Sequence, residues 1–154
     1  MRVSVHVIGR PRHAGLADAI QEYEGRAARY WPLEIVEVRE ENARGLDGGV
    51  VKEREAQRLL DRIPGDAVVV ACDPGGTSQD SEAFAAWLHA QREAARNVAF
   101  VIGGAFGLGT SVLTRATRRL SLAPWTLPHE VARLVLAEQL YRAGTIVRGE
   151  PYHK

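Results

Sequence analysis

The side chains of this sequence best suited to chemistry are a lone thiol at Cys72, imidazoles at His129 and His153, and the phenol of Tyr152. One cysteine and five scattered histidines are too few to hold a structural zinc ion, so no metal is expected. No G-x-S-x-G elbow raises a hydrolase serine. An imidazole or a phenol can accept a proton while a group is transferred. His129 follows Pro128 at a helix start, where capping or packing competes with such a role. Tyr152 and His153 lie in RGEPYHK, a tail too polar to be core, where the default is a frayed end.

A second chemical signal is FVIGGAFGLGTS, residues 100–111, an apolar run that ends in Gly103, Gly104, Gly107 and Gly109. Glycine at a strand end lets another group approach the backbone. A dinucleotide fingerprint from Gly107 needs a third glycine where Val112 stands, and an acid about 20 positions on. No Asp or Glu occurs between Phe100 and Glu130. A triphosphate loop needs Gly-Lys-Ser/Thr, yet Gly109 is followed by Thr110. The loop suits a ligand that wants backbone contact without a phosphate cradle.

Alternating strands and helices must position these residues. Strands are expected over residues 3–8, 33–38, 67–72, 98–102 and 120–122. Helices are expected over 16–30, 50–63, 81–95 (capped by Ser81), 111–117 and 128–147. Residues 39–49 read as a polar, mobile loop, and DPGG at 73–76 as the turn that ends the third strand. Buried strands separated by helices imply an α/β fold with a mostly parallel sheet flanked by helices. Ligands of such sheets bind beyond the carboxyl ends of the strands. Loops 73–76, 103–109 and 123–128 are therefore expected to form one site; the alternative is three unrelated tight turns. With 154 residues, no repeat and no linker, residues 1–154 are expected to form one domain.

Composition narrows the class further. The 45% hydrophobic and 25% charged content is that of a soluble globular chain, and a single cysteine suits a reducing cytoplasm. MRVSVHVIG lacks a signal-peptide core, and no apolar run nears the roughly 20 residues that span a bilayer. A cytoplasmic protein with no membrane partner is expected. Residues 1–104 carry 13 Lys/Arg against 16 Asp/Glu, and residues 105–154 carry 7 against 3. With Trp125, Tyr141 and Tyr152, the second part is compatible with a phosphate-bearing partner, and equally with plain solvated surface.

FVIGGAFGLG, then LSLAPWTLPHEVARLVLAEQLYRAGTIVRGEPYHK, resembles the RlmH family of ribosomal RNA methyltransferases, small members of the SPOUT class. The similarity runs through most of residues 98–154 and extends more loosely to the first strand, EYEGR and CDPGG. Thr126-Leu127-Pro128-His129, AEQLYR at 137–142 and Pro151-Tyr152-His153 carry it in combination. The resemblance implies a C-terminal trefoil knot, a homodimer, and S-adenosylmethionine as cofactor. It implies methylation of N3 of a pseudouridine in 23S ribosomal RNA on the assembled ribosome. The implied cofactor pocket comprises Cys72, Gly103, Gly104, Ala123, Pro124, Trp125, Thr126, Leu127 and Pro128. His153, Tyr152 and His129 are the implied catalytic candidates, and Arg142 and Lys154 the RNA-binding ones. Two alternatives stay open: a SPOUT enzyme acting on transfer RNA, and an inert ribosome-binding factor.

The chain departs from the family pattern at several points. Gly103-Gly104-Ala105-Phe106-Gly107 stands where Gly-Gly-Pro-Glu-Gly is expected, so no acid's role carries over. Trp125 replaces a smaller apolar residue, Gly144 a tryptophan and Lys154 an arginine. Backbone-mediated cofactor binding should survive these changes, while RNA affinity and dimer packing are open to alteration. Arg142 reads as a surface charge, a dimer salt bridge or a phosphate anchor, with Glu138 spaced to pair with it. Arg115, Arg118 and Arg119 read as a solvated face, with RNA contact as the alternative, and Asp73 as an Asx turn with Gly75. His6 and His13 carry no specific signal.

Overall fold

The computed structural model describes residues 1–154. The chain runs β1 (Val3–Ile8), α1 (Ala14–Ala27), β2 (Leu33–Val38), α2 (Gly48–Leu60), β3 (Val68–Ser78), α3 (Ser81–Glu93), β4 (Val98–Ile102), α4 (Thr110–Arg115), β5 (Arg118–Ser121) and α5 (His129–Val147). The strands form one sheet in the order β2-β1-β4-β3-β5, and every neighbouring pair is parallel.

Successive side chains of a strand point to opposite faces, and this divides the strands between two cores. Val3, Val5 and Val7 of β1, Val70 of β3, and Phe100 and Ile102 of β4 pack with Ala27, Leu88 and Leu136 of α1, α3 and α5. Ile8, Val69, Ala71 and Val101 face the other way, against Ala56 and Leu59 of α2 and Val112 of α4. Helices cover both faces, which explains why β3 and β4 read as unbroken apolar runs.

Two polar contacts tie α5 to this frame. The buried Trp31 indole donates to the Leu140 carbonyl at 2.8 Å. Arg133, only 7% exposed, reaches both oxygens of Glu24 on α1 (2.7 and 3.2 Å) and Glu37 on β2 (3.0 Å). A buried guanidinium needs such partners to offset its lost hydration. The start of α5 is thereby held beside the strand ends.

The structure departs from the sequence expectations mostly where side chains cap helices. α1 begins at Ala14, because the His13 ring accepts the Leu16 N–H at 3.3 Å, and it ends at Ala27, short of Tyr30. Asp80, not Ser81, caps α3 by accepting the Ala83 N–H at 2.7 Å. Asp47 caps α2, so that helix opens at Gly48 inside the expected loop. The largest difference is DPGG, which does not end β3. Cys72 and Thr77 both register with Leu120 of β5, so residues 73–76 leave the strand as a bulge and return to it. A Cβ on Gly76 would lie 2.6 Å from the Arg119 carbonyl carbon, so the return passage requires glycine.

No helix is long and apolar enough to cross a membrane. No cluster of His, Cys, Asp or Glu side chains is placed to hold a metal ion.

Candidate functional site

The bulge of β3 and the carboxyl ends of β4 and β5 open into a cavity of about 490 Å³. Loops 73–76, 103–109 and 123–128 all contribute to it, together with the first turn of α5. Cys72, Gly103, Gly104, Ala123, Trp125, Thr126, Leu127, Pro128 and His129 line it, between apolar walls from Ile102, Leu108, Leu122 and Ala132. Pro124 is the exception among the residues expected there. It is exposed and lies outside the lining, which passes from Ala123 to Trp125.

The glycine loop is shaped by its own return path. Gly107 has φ +84°, and its N–H donates to the Gly104 carbonyl at 3.0 Å, closing a tight turn. A Cβ on Gly103 would collide with the Gly107 carbonyl carbon. A Cβ on Gly104 would sit 3.0 Å from Glu55 Oε1, on the side of α2. The groups that approach these glycines are thus the loop itself and Glu55. Phe106 turns outward, 48% exposed, with its ring against Gly48.

Glu55 escaped the sequence reading. Its signal was an acid at the i,i+4 spacing of the apolar residues Val51 and Leu59. It is 3% exposed, and burial raises its pKa against the lowering effect of the Glu41 N–H that donates to Oε2 at 3.1 Å.

Burial pushes the Cys72 thiol up to about 12, so it is a neutral wall and not a nucleophile. Asp73 is engaged by Arg119, not by an Asx turn. The Arg119 Nε donates to Asp73 Oδ2 at 3.0 Å and its Nη2 joins the same oxygen, closing the bulge onto β5. Arg115 donates to the Gly65 and Ala67 carbonyls at 2.9 and 3.2 Å, and the Arg118 guanidinium lies 4.8 Å over the Trp87 ring. The three arginines expected on a solvated face each secure part of the fold.

The tail does not project from α5. Gly149, at φ +67°, ends the helix with its N–H on the Ile146 carbonyl at 3.0 Å and the Glu150 N–H on the Thr145 carbonyl at 2.9 Å. The chain then folds back along α5. The Tyr152 hydroxyl donates to Glu138 Oε1 at 3.0 Å, and the Arg142 guanidinium lies 4.7 Å over the Tyr152 ring. An Arg142 nitrogen is 3.2 Å from His153 Nδ1, and Lys154 is exposed. Burial, then hydrogen bonding to Tyr23 and Glu138, raises the Tyr152 pKa. Gly144 lies under the Tyr30 ring, which fills the space a side chain there would take.

His129 and Glu138 are separated by about two and a half turns of α5, or about 14 Å of helix rise. The cavity of a chain therefore holds His129, while Tyr152, His153 and Arg142 gather farther along the helix.

Known proteins give this arrangement a context. A family model described as "Predicted SPOUT methyltransferase" matches residues 1–153. The chain is 74% identical over 154 residues to a protein of Gemmatimonas aurantiaca named Ribosomal RNA large subunit methyltransferase H, covering 100% of both chains. Proteins of the same name from Clostridium beijerinckii and Listeria monocytogenes are 40% and 42% identical over 159 residues, again covering 100% of both. A solved probable methylase family protein of Haemophilus influenzae shares the fold at TM-score 0.53 and 14% identity, over 99% of this chain and 70% of that one. A parallel sheet with three loops closing one cavity at its carboxyl edge, and a family match over nearly every residue, make this chain a member of the SPOUT methyltransferase family.

Proposed function

We propose that this chain methylates large-subunit ribosomal RNA, taking the methyl group from S-adenosylmethionine and placing it on N3 of a pseudouridine in the assembled ribosome. The observation that carries this reading is the cavity formed by the three loops in a chain with full-length relatives named Ribosomal RNA large subunit methyltransferase H. Its volume falls within the roughly 300–1,000 Å³ of small-molecule sites. Leu122, Leu127 and Ala132 offer apolar walls for an adenosyl group, and the bare backbone of residues 103–104 offers hydrogen-bonding edges without a phosphate cradle. Cys72, Gly103, Gly104, Ala123, Thr126, Leu127 and Pro128 would hold the donor; Trp125, implied for the same pocket, is left out of this set because it is 78% exposed. When bound, S-adenosylmethionine supplies an electrophilic methyl group on a sulfonium.

The protein's contribution is then largely positioning. The N3 proton of the base must leave as the methyl arrives, and His129 is the titratable ring at the cavity of the same chain. Tyr152 and His153 serve the cavity of a second copy, because their own lies too far along α5. The reading therefore includes a cytoplasmic homodimer, with α4 and α5 near its interface and the C-terminal chain knotted as in its class. Incorporation of labelled methyl groups into intact ribosomes, compared with bulk transfer RNA, tests it. Label confined to transfer RNA, or absent from both, overturns it.

A further inference from the structure

Trp125 is the most exposed large apolar side chain of the molecule, at 78%. It is also a lining residue of the cavity, and it stands mostly in solvent. The other two tryptophans are spent inside the fold. Trp31 is buried beneath the Arg92 guanidinium at 3.9 Å, and Trp87 lies under Arg118 and against Phe84.

The loop that presents Trp125 is braced. Ser121 Oγ donates to the Ala123 carbonyl at 2.7 Å, and Leu127 packs on the main core. Pro124 and Pro128 fix their own φ angles and restrict the residues before them. A large apolar ring is thus held in water by a stiffened segment, at the mouth of a cavity whose walls are apolar without it. Across the rim, Asp73 is neutralised by Arg119, which keeps a bare carboxylate away from an approaching polyanion.

We propose that Trp125 is the stacking platform for the unpaired RNA base that receives the methyl group. A base acted on by an enzyme must leave its stack, and an aromatic face replaces the lost stacking. The indole lies where a base entering from solvent would meet the donor, and it offers a flat face without discriminating between bases. This assignment rests on the proposed RNA methylation, and it gives the donor pocket and the base platform to different residues.

The test uses full-length protein with Trp125→Ala and Trp125→Phe. The Ala variant should bind S-adenosylmethionine in calorimetry within about twofold of wild type, yet lose about tenfold or more in kcat/KM on ribosomes, the range for one aromatic–base stack. The Phe variant should recover most of that loss. A hairpin RNA with unpaired loop uridines should quench the tryptophan emission of the wild type, and a fully paired duplex should not. Quenching by the hairpin should vanish in Trp125→Phe. The assignment is overturned by wild-type kcat/KM in the Ala variant, by donor affinity that falls in step with kcat/KM, or by conversion of a dimer to monomers. If the wild type methylates no ribosomes, the functional reading fails by itself, and the hairpin quenching still decides whether Trp125 binds an unpaired base.

Discussion

The Tyr152 hydroxyl and the Arg142 Nε both donate to Glu138 Oε1, each at 3.0 Å. One carboxylate oxygen thus anchors the C-terminal tail to the helix that also lines the cavity. Chain ends fray unless something holds them, and here a cation and a phenol share the hold. Deleting residues 152–154 should leave folding and S-adenosylmethionine binding nearly intact while removing methylation of ribosomes. Lys154→Ala should mostly weaken ribosome binding and flatten its salt dependence. Tyr152→Ala or His153→Ala should instead lower the rate at saturating ribosomes. A truncated protein that methylates at the wild-type rate takes both residues out of the mechanism.

Gly104→Val should abolish donor binding. Even a Cβ at that position lies 3.0 Å from Glu55 Oε1 and 3.3 Å from Ile8 Cγ2, so a branched side chain forces the loop toward the cavity. Calorimetry on a variant with a native circular dichroism spectrum checks this. Retention of wild-type affinity separates residues 103–107 from the pocket.

Arg133→Ala leaves the Glu24 carboxylate facing a partly buried void without its cation, while Glu37 keeps only the exposed Arg10. Breaking a buried ion pair on one side typically costs about 3–5 kcal/mol. Urea unfolding should show a loss of that order. Arg133→Met combined with Glu24→Gln and Glu37→Gln should recover part of it, since no charge is then stranded.

His6 gives the fold an acid-sensitive step. It is 1% exposed, and burial lowers its pKa from 6.5 to about 4 against the opposing charge of Glu34. Between those values the unfolded chain takes up a proton that the folded chain refuses, so stability falls as pH drops from 6.5 toward 4. At the usual free energy per pKa unit the loss between pH 6.5 and 5 is roughly 1.5 kcal/mol. Denaturation of His6→Gln across that range should lack this slope. An identical slope in both proteins assigns the sensitivity to other groups.

Sedimentation at micromolar concentration should give twice the chain mass, since the tail of one chain is proposed to serve the cavity of another. A monomeric mass alongside full methylation of ribosomes removes the shared-site arrangement.

The parallel sheet and the three loops were legible because their causes are local. Val68–Ile102 alternates apolar strands with a helix, and glycine and proline follow the apolar run of each strand. The features that were not legible depend on partners far along the chain. Asp-Pro-Gly-Gly reads as a turn by any local rule, and only the register of β5 makes it a bulge. Arg119 meets Asp73 across 46 positions, and Arg115 meets the Ala67 carbonyl across 48, so neither could be told from a solvated charge. Glu55 lies on an apolar helix face whose reason is the side chain missing at Gly104. By local rules the tail reads as a frayed end. Gly149 instead turns it back along α5, onto partners that lie more than ten positions away.

The bulge of β3 has a further consequence for how the cavity behaves. Residues 73–76 leave and rejoin the strand opposite the same residue, Leu120, so both ends of this wall are pinned by one rung of the ladder. A segment anchored in this way cannot swing as a door, and the wall takes on the stiffness of the sheet. Little ordering entropy then remains to be lost when a ligand enters along this side. Amide exchange at residues 72 and 77 should be slow before any ligand is added and should change little afterwards.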